Sequence, residues 1–116
     1  MRSVRNYANY RKFLLDYYGA MQKKDPEFSY RKFAKQVKHA NASFLHNIMH
    51  GRRKPEIRTI ISIAAAAGMD EQETRYFANL VELNHAASAP VRQYFQNELQ
   101  FIRSCGNILK YRKKKK

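Results

Sequence analysis

Apolar residues in this 116-residue chain recur at steps of three and four, and few turn residues interrupt the runs. Between residues 6 and 24, Tyr10, Phe13, Leu14, Tyr17, Tyr18 and Met21 make one wide stripe at helical period. Asn6 is placed to cap that helix. Pro26 ends it by disfavouring helical backbone at Asp25. A short second helix follows an N-cap at Ser29, with Phe33, Ala34 and Val37 inward. The pattern breaks over 38–41. A third helix is predicted from about Asn41 to His50, with Phe44, Leu45, Ile48 and Met49 facing the core. Gly51 then stands where a helix closes in the left-handed region.

The fourth helix is predicted over 56–67, on Ile57, Ile60, Ile61, Ala64 and Ala65, and Gly68 stops it. Asp70 and Glu73 form an acidic capping box that opens a fifth helix bearing Tyr76, Phe77, Leu80 and Val81. Ser88-Ala89-Pro90 opens a sixth, since proline is tolerated in a first turn. Its apolar positions include Val91, Tyr94, Phe95, Leu99, Ile102 and Leu109, and Gly106 weakens its far end. The expectation is an all-α chain, a compact bundle of about six helices. Residues 1–109 read as one domain, with helices 70–109 available as a homodimer or partner face. Residues 110–116 read as a short, disordered basic tail.

Charge changes this picture most. Twenty-three Lys and Arg against nine Asp and Glu give +14, and such an excess draws polyanions. It is unevenly placed. Residues 1–28 hold six bases and three acids (+3). Residues 29–69 hold eight and one (+7), 70–103 three and five (−2), and 104–116 six and none (+6). Charge that only kept the chain dispersed would have no reason for this split. One polyanion face and one protein-contact face would give it.

Two short helices across a tight turn, then a glycine and a basic loop, have the shape of a helix-turn-helix over 29–50. With Phe44, Leu45 and Ile48 inward, steps of about 100° turn Ala42, Ser43, His46, Asn47 and His50 outward, with no acid among them. Asn pairs bidentately with adenine, Ser and His reach base edges, and Ala packs on a thymine methyl. Asn41, Ala42, Ser43, His46, Asn47 and His50 are therefore the expected base contacts in duplex DNA. Ser29, Tyr30, Arg31, Lys35, Lys38, Arg52, Arg53 and Lys54 are the expected phosphate contacts.

Segment 33–68 resembles the lambda-repressor-like (Xre-type) helix-turn-helix, through Ala34, Gly51 with its basic run, Pro55 and the Ile-rich fourth helix. More widely, residues 7–103 resemble a bacterial paralogous family of uncharacterised putative regulators. The resemblance rests on Tyr10-Arg11-Lys12-Phe13-Leu14-Leu15-Asp16-Tyr17-Tyr18, Phe28 to Ala34, Ser43-Phe44-Leu45, and Tyr76 to Val81 with Asn84 to Ala86. The chain departs from the family pattern at Lys38, where the turn usually has glycine. Its Gly51 spacing is one residue longer, and the family's longer C-terminal region is missing. The resemblance implies a cytoplasmic, nucleoid-associated regulator of transcription.

Other classes fit less well. His46 and His50 have the i, i+4 spacing of a zinc pair, but no Glu lies between them and no cysteine is near, so no metal, cofactor or enzymatic role is expected. Cys105, the only cysteine, reads as a half-buried apolar residue and excludes an internal disulfide. No run of about 18 apolar residues predicts a membrane span, and the first residues lack the apolar core of a secretory signal. Sequence-nonspecific nucleoid coating, RNA binding and a protein-binding adaptor remain open as alternatives.

Overall fold

The fold is organised around one helix, α5 (Glu71–His85), whose Tyr76, Phe77, Leu80 and Val81 are completely buried. The structure is a computed structural model. It describes residues 2–38 and 40–115, with side chains through Ser104. The chain begins with a one-turn 3-10 helix (Val4–Asn6). It continues as α1 (Tyr10–Lys24), α2 (Tyr30–Gln36), α3 (Ala42–Met49), α4 (Ile57–Ala66), α5 and α6 (Ala89–Lys115). The helices α1, α4 and α6 and the 3-10 turn all pack on α5, while α2 and α3 pack on each other and α3 on α1. No strand occurs among the described residues, and none of their helices is long and apolar enough to cross a membrane. The expected all-α class and six helices are therefore present.

The N-terminal segment differs from expectation. Asn6 does not cap α1; it lies in the 3-10 turn, which Ser3 caps, and Asn9 caps α1 through Arg11 N–H. The three residues between turn and helix are laced to α5. The Asn84 amide accepts from Tyr10 N–H at 2.8 Å and donates to the Ala8 carbonyl at 3.0 Å. The Tyr76 hydroxyl donates to the Tyr7 carbonyl, and the Ser3 hydroxyl to Glu73 at 2.7 Å. These bonds satisfy backbone groups that a helix starting at residue 6 would have satisfied internally. No buried side-chain polar atom among the described residues lacks a partner.

In α4 the buried face is Thr59, Ile60, Ile63 and Ala64, whereas Ile57 and Ile61, expected inward, are 62% and 52% exposed. Ala65, on the same expected stripe, is exposed too; apolar residues occupy most of the circumference outside the Arg58–Ser62 flank, so periodicity could not choose the inner face. The capping box of Asp70 and Glu73 is formed. Helix α6 is continuous through Lys115, across the boundary expected at 109. The disorder expected of the basic tail gives way to helix through Lys115; side chains beyond Ser104 lie outside the described residues, and with them the expectations for Cys105 and Leu109.

Two outcomes follow. Replacing Asn84 by Leu leaves the part-buried Tyr10 N–H without its acceptor and returns the exposed Ala8 carbonyl to water, so the urea unfolding free energy should fall by about 1–3 kcal/mol with helix content kept. His85 accepts or shares a 2.6 Å hydrogen bond with the Tyr10 hydroxyl, and burial, Lys54 and Arg11 hold its pKa below the ordinary imidazole value. The folded chain thus binds that proton more weakly than the unfolded chain. Its contribution is complete above the ordinary imidazole pKa and is lost as pH falls through the lowered one. Melting temperature should drop more between about pH 7.5 and pH 5 for the wild type than for His85→Gln. Equal drops would assign the acid sensitivity elsewhere.

Candidate nucleic-acid interface

The helices α2 and α3 owe their ends to local chemistry. The Ser29 hydroxyl accepts from Lys32 N–H at 3.2 Å and opens α2. The Asn41 amide accepts from Phe44 N–H at 2.8 Å and opens α3. Asn41, expected as a base contact, is therefore spent as a helix cap. The connection between the helices, 37–41, includes His39, which is outside the described residues. Val37 is buried there and Lys38 exposed.

Leu45, Ile48 and Met49 bury one side of α3. Phe44, expected in the core, is half-buried, and the Arg53 guanidinium lies 5.0 Å from its ring centroid. On the other side Ser43 and His50 are exposed, and Ala42, His46 and Asn47 are half-buried. Asn41, Asn79 and Asn84 have their amides engaged, but Asn47 has no side-chain hydrogen bond among the described residues. The His46 and His50 rings meet at a tilt of 37°, 4.2 Å between centroids. Tyr30 meets His46 edge-on at 5.2 Å and stacks on Tyr18 at 4.6 Å. The i, i+4 histidine pair is thus one end of an aromatic column running from α1 across α2 to α3. Among the described residues no three metal-ligating side chains gather. Burial, and then Tyr18, push the Tyr30 phenol up, so it remains a protonated donor at neutral pH.

The eight bases of 29–69 divide by their partners. Lys32 pairs with Asp25 at 3.0 Å, Arg58 with Glu56 at 3.3 Å, and Lys54 with Glu82 of α5 at 2.7 Å. Lys54, expected on phosphate, is instead turned toward α5. Arg31, Lys35, Lys38, Arg52 and Arg53 are exposed and form no ion pair among the described residues. These five flank the outward side of α3 in sequence, from α2 and its connection before it and from the loop after it.

Sequence reasoning missed Arg11. Gly51 has φ +76°, and a Cβ there would collide with the Arg11 guanidinium, which lies against this turn. Arg11 brings a cation from α1 to the start of the basic loop. Forty residues separate the two positions, and nothing in the local pattern links them. Compared with models of protein families, with curated proteins and with solved structures, the chain matches none.

Gly51→Ala should lower the unfolding free energy by at least about 1–2 kcal/mol, because the left-handed backbone is strained for alanine and Arg11 must move. Gly19→Ala, inside α1 with open space around its Cα, should raise it by up to about 1 kcal/mol. Denaturant titration of both variants checks the opposite signs.

Proposed function

We propose that α2 and α3 act as a helix-turn-helix that binds duplex DNA, with α3 in the major groove, in a regulator of transcription. One observation carries the reading. The outward side of α3 offers Ser43, His46, Asn47 and His50 with no acid among them, between two groups of cations without ion-pair partners. An uncommitted amide half-sunk in such a surface is suited to a base edge, which satisfies donor and acceptor together. The unpaired cations suit phosphate, since no internal ion pair must be broken to make the contact. Capping by Asn41 leaves further N–H groups at the start of α3 available to an anion. The functional set narrows to Ser43, His46, Asn47 and His50 for bases, with Ala42 beside them. For phosphates it narrows to Tyr30, Arg31, Lys35, Lys38, Arg52 and Arg53, while Ser29 caps α2.

Selection from random duplexes near physiological salt tests this. A consensus should emerge, and Asn47→Ala should relax it at one position. Arg52→Ala should weaken all sequences alike. Five phosphate contacts predict that log K falls with log salt at a slope of about −4.5. If random duplex competes equally with the selected site, base readout is excluded and nonspecific coating replaces it.

A further inference from the structure

The segment before α1 and helix α6 both lie on α5, and a cleft of about 430 Å³ opens between them. Its floor is apolar: Tyr76, Leu80 and Leu99 are buried and Leu83 is half-buried. Its α6 wall is polar. Gln96, Gln100, Arg103 and Ser104 share one helix face, at steps of four, three and one, and all are exposed. Among the described residues no acid lines the cleft. Arg103 is held in place without being neutralised. Its Nη2 donates to the Arg5 carbonyl at 3.2 Å and to the Tyr76 hydroxyl, and its guanidinium lies 5.2 Å from the Tyr76 ring centroid. The Tyr76 hydroxyl in turn donates to the Tyr7 carbonyl, so the arginine rests on a buried and fully engaged support. Both of its acceptors are neutral, and its Nη1 and Nε make no hydrogen bond among the described residues. The sequence has no acid after Glu98, so the rest of α6 brings no carboxylate side chain to it.

We infer that this cleft binds a small amphipathic monocarboxylate, with the carboxylate on Arg103 and the hydrocarbon part on the apolar floor. Gln100 and Ser104, one turn apart, flank the guanidinium with an amide and a hydroxyl, so a charged donor and two neutral ones meet the same head group. Arg103 is the one charged side chain lining the cleft among the described residues, and a single negative charge balances it. Leu80, Leu83 and Leu99 gain from a hydrocarbon that displaces water from the floor. Ligand pockets of this kind, with an apolar floor and a few convergent polar groups, hold about 300–1,000 Å³. Gln96 stands about 10 Å along α6 from Arg103, which suits an acid of medium chain length. A second cleft, of about 390 Å³ between the N-terminal segment and α1, has Glu73 in its wall beside Arg2 and Lys24 and so selects no charge.

The test needs no DNA, so its failure leaves the duplex-binding reading untouched. Calorimetric titration and amide NMR of the full chain use octanoate, with octanamide and inorganic phosphate as comparisons. Octanoate should bind one-to-one and shift the amides of Ala8, Leu83 and residues 96–104. Arg103→Gln should weaken it at least about ten-fold, through loss of the charged donor. Gln100→Trp fills the cleft from an exposed position and leaves the support of Arg103 intact, so it should weaken octanoate as much, whether or not Arg103→Gln folds. Lys24→Gln, in the second cleft, should bind octanoate as the wild type does. Absence of saturable octanoate binding overturns the inference. So does octanamide or phosphate binding equally well, or an affinity that Gln100→Trp leaves unchanged or Lys24→Gln abolishes.

Discussion

The Phe13 ring is in contact range of Tyr7 at 5.3 Å, Phe77 at 6.0 Å and Tyr17 at 6.4 Å, so one side chain joins the N-terminal segment, α1 and α5. Tyr17 passes the packing on to Phe33 of α2 at 5.6 Å, and Phe33 to Phe28 at 5.9 Å. The position of α2, and of α3 packed on it, is therefore set by a continuous run of buried rings rooted in α5. Short helices of seven and eight residues have little stability of their own. They are held as helices by burying Phe33, Leu45, Ile48 and Met49 against that frame. Their outer surfaces are thereby free to be chosen for something other than folding.

Much of the frame was legible because its signals are local. Ser29, the Asp70–Glu73 box, Gly51 and Gly68 each act within one turn of chain, and each marks the helix end expected of it. Errors arose where a distant residue decides. Asn6 and Asn9 are equivalent as caps in the sequence, and Asn84, more than 70 positions away, fixes the extended segment that makes Asn9 the cap. The inner face of α4 is decided by packing on α5, because Ile57, Ile60, Ile61 and Ile63 with Ala64, Ala65 and Ala66 make an apolar arc wider than one buried face. In α6 the apolar positions read as one broad stripe, and only the placement of α5 decides that Leu99 and Ile102 are the buried ones while Val91, Tyr94 and Phe101 stay exposed.

The candidate surface was legible to a different degree. Helical phase alone turns Ser43, His46, Asn47 and His50 outward, and the structure keeps them on one side. Which cations are free could not be read, since a lysine's partner is a tertiary fact. Lys54 follows Arg52 and Arg53 directly yet pairs with Glu82, and Arg11 joins the same turn from α1. The histidine pair shows the same ambiguity. Spacing i, i+4 serves zinc or ring packing equally, and the Tyr18–Tyr30 column beside it supports the second.

The choice of helix caps connects folding to charge. Aspartate caps a helix about as well as serine or asparagine through the hydrogen bond, and adds a favourable interaction of about 0.3–1 kcal/mol with the helix dipole. Helix α5 uses that option with Asp70 and Glu73, whereas α2 and α3 are capped by the neutral Ser29 and Asn41. Their first turns also contain no acid. Stability alone would favour acids at all three starts. Leaving them out at α2 and α3 keeps two positive helix ends and five cations without internal neutralisation. The acids that the chain does place at a helix start are those of α5, Asp70, Glu71 and Glu73. The charge pattern thus follows a division of faces that hydrophobic burial does not require.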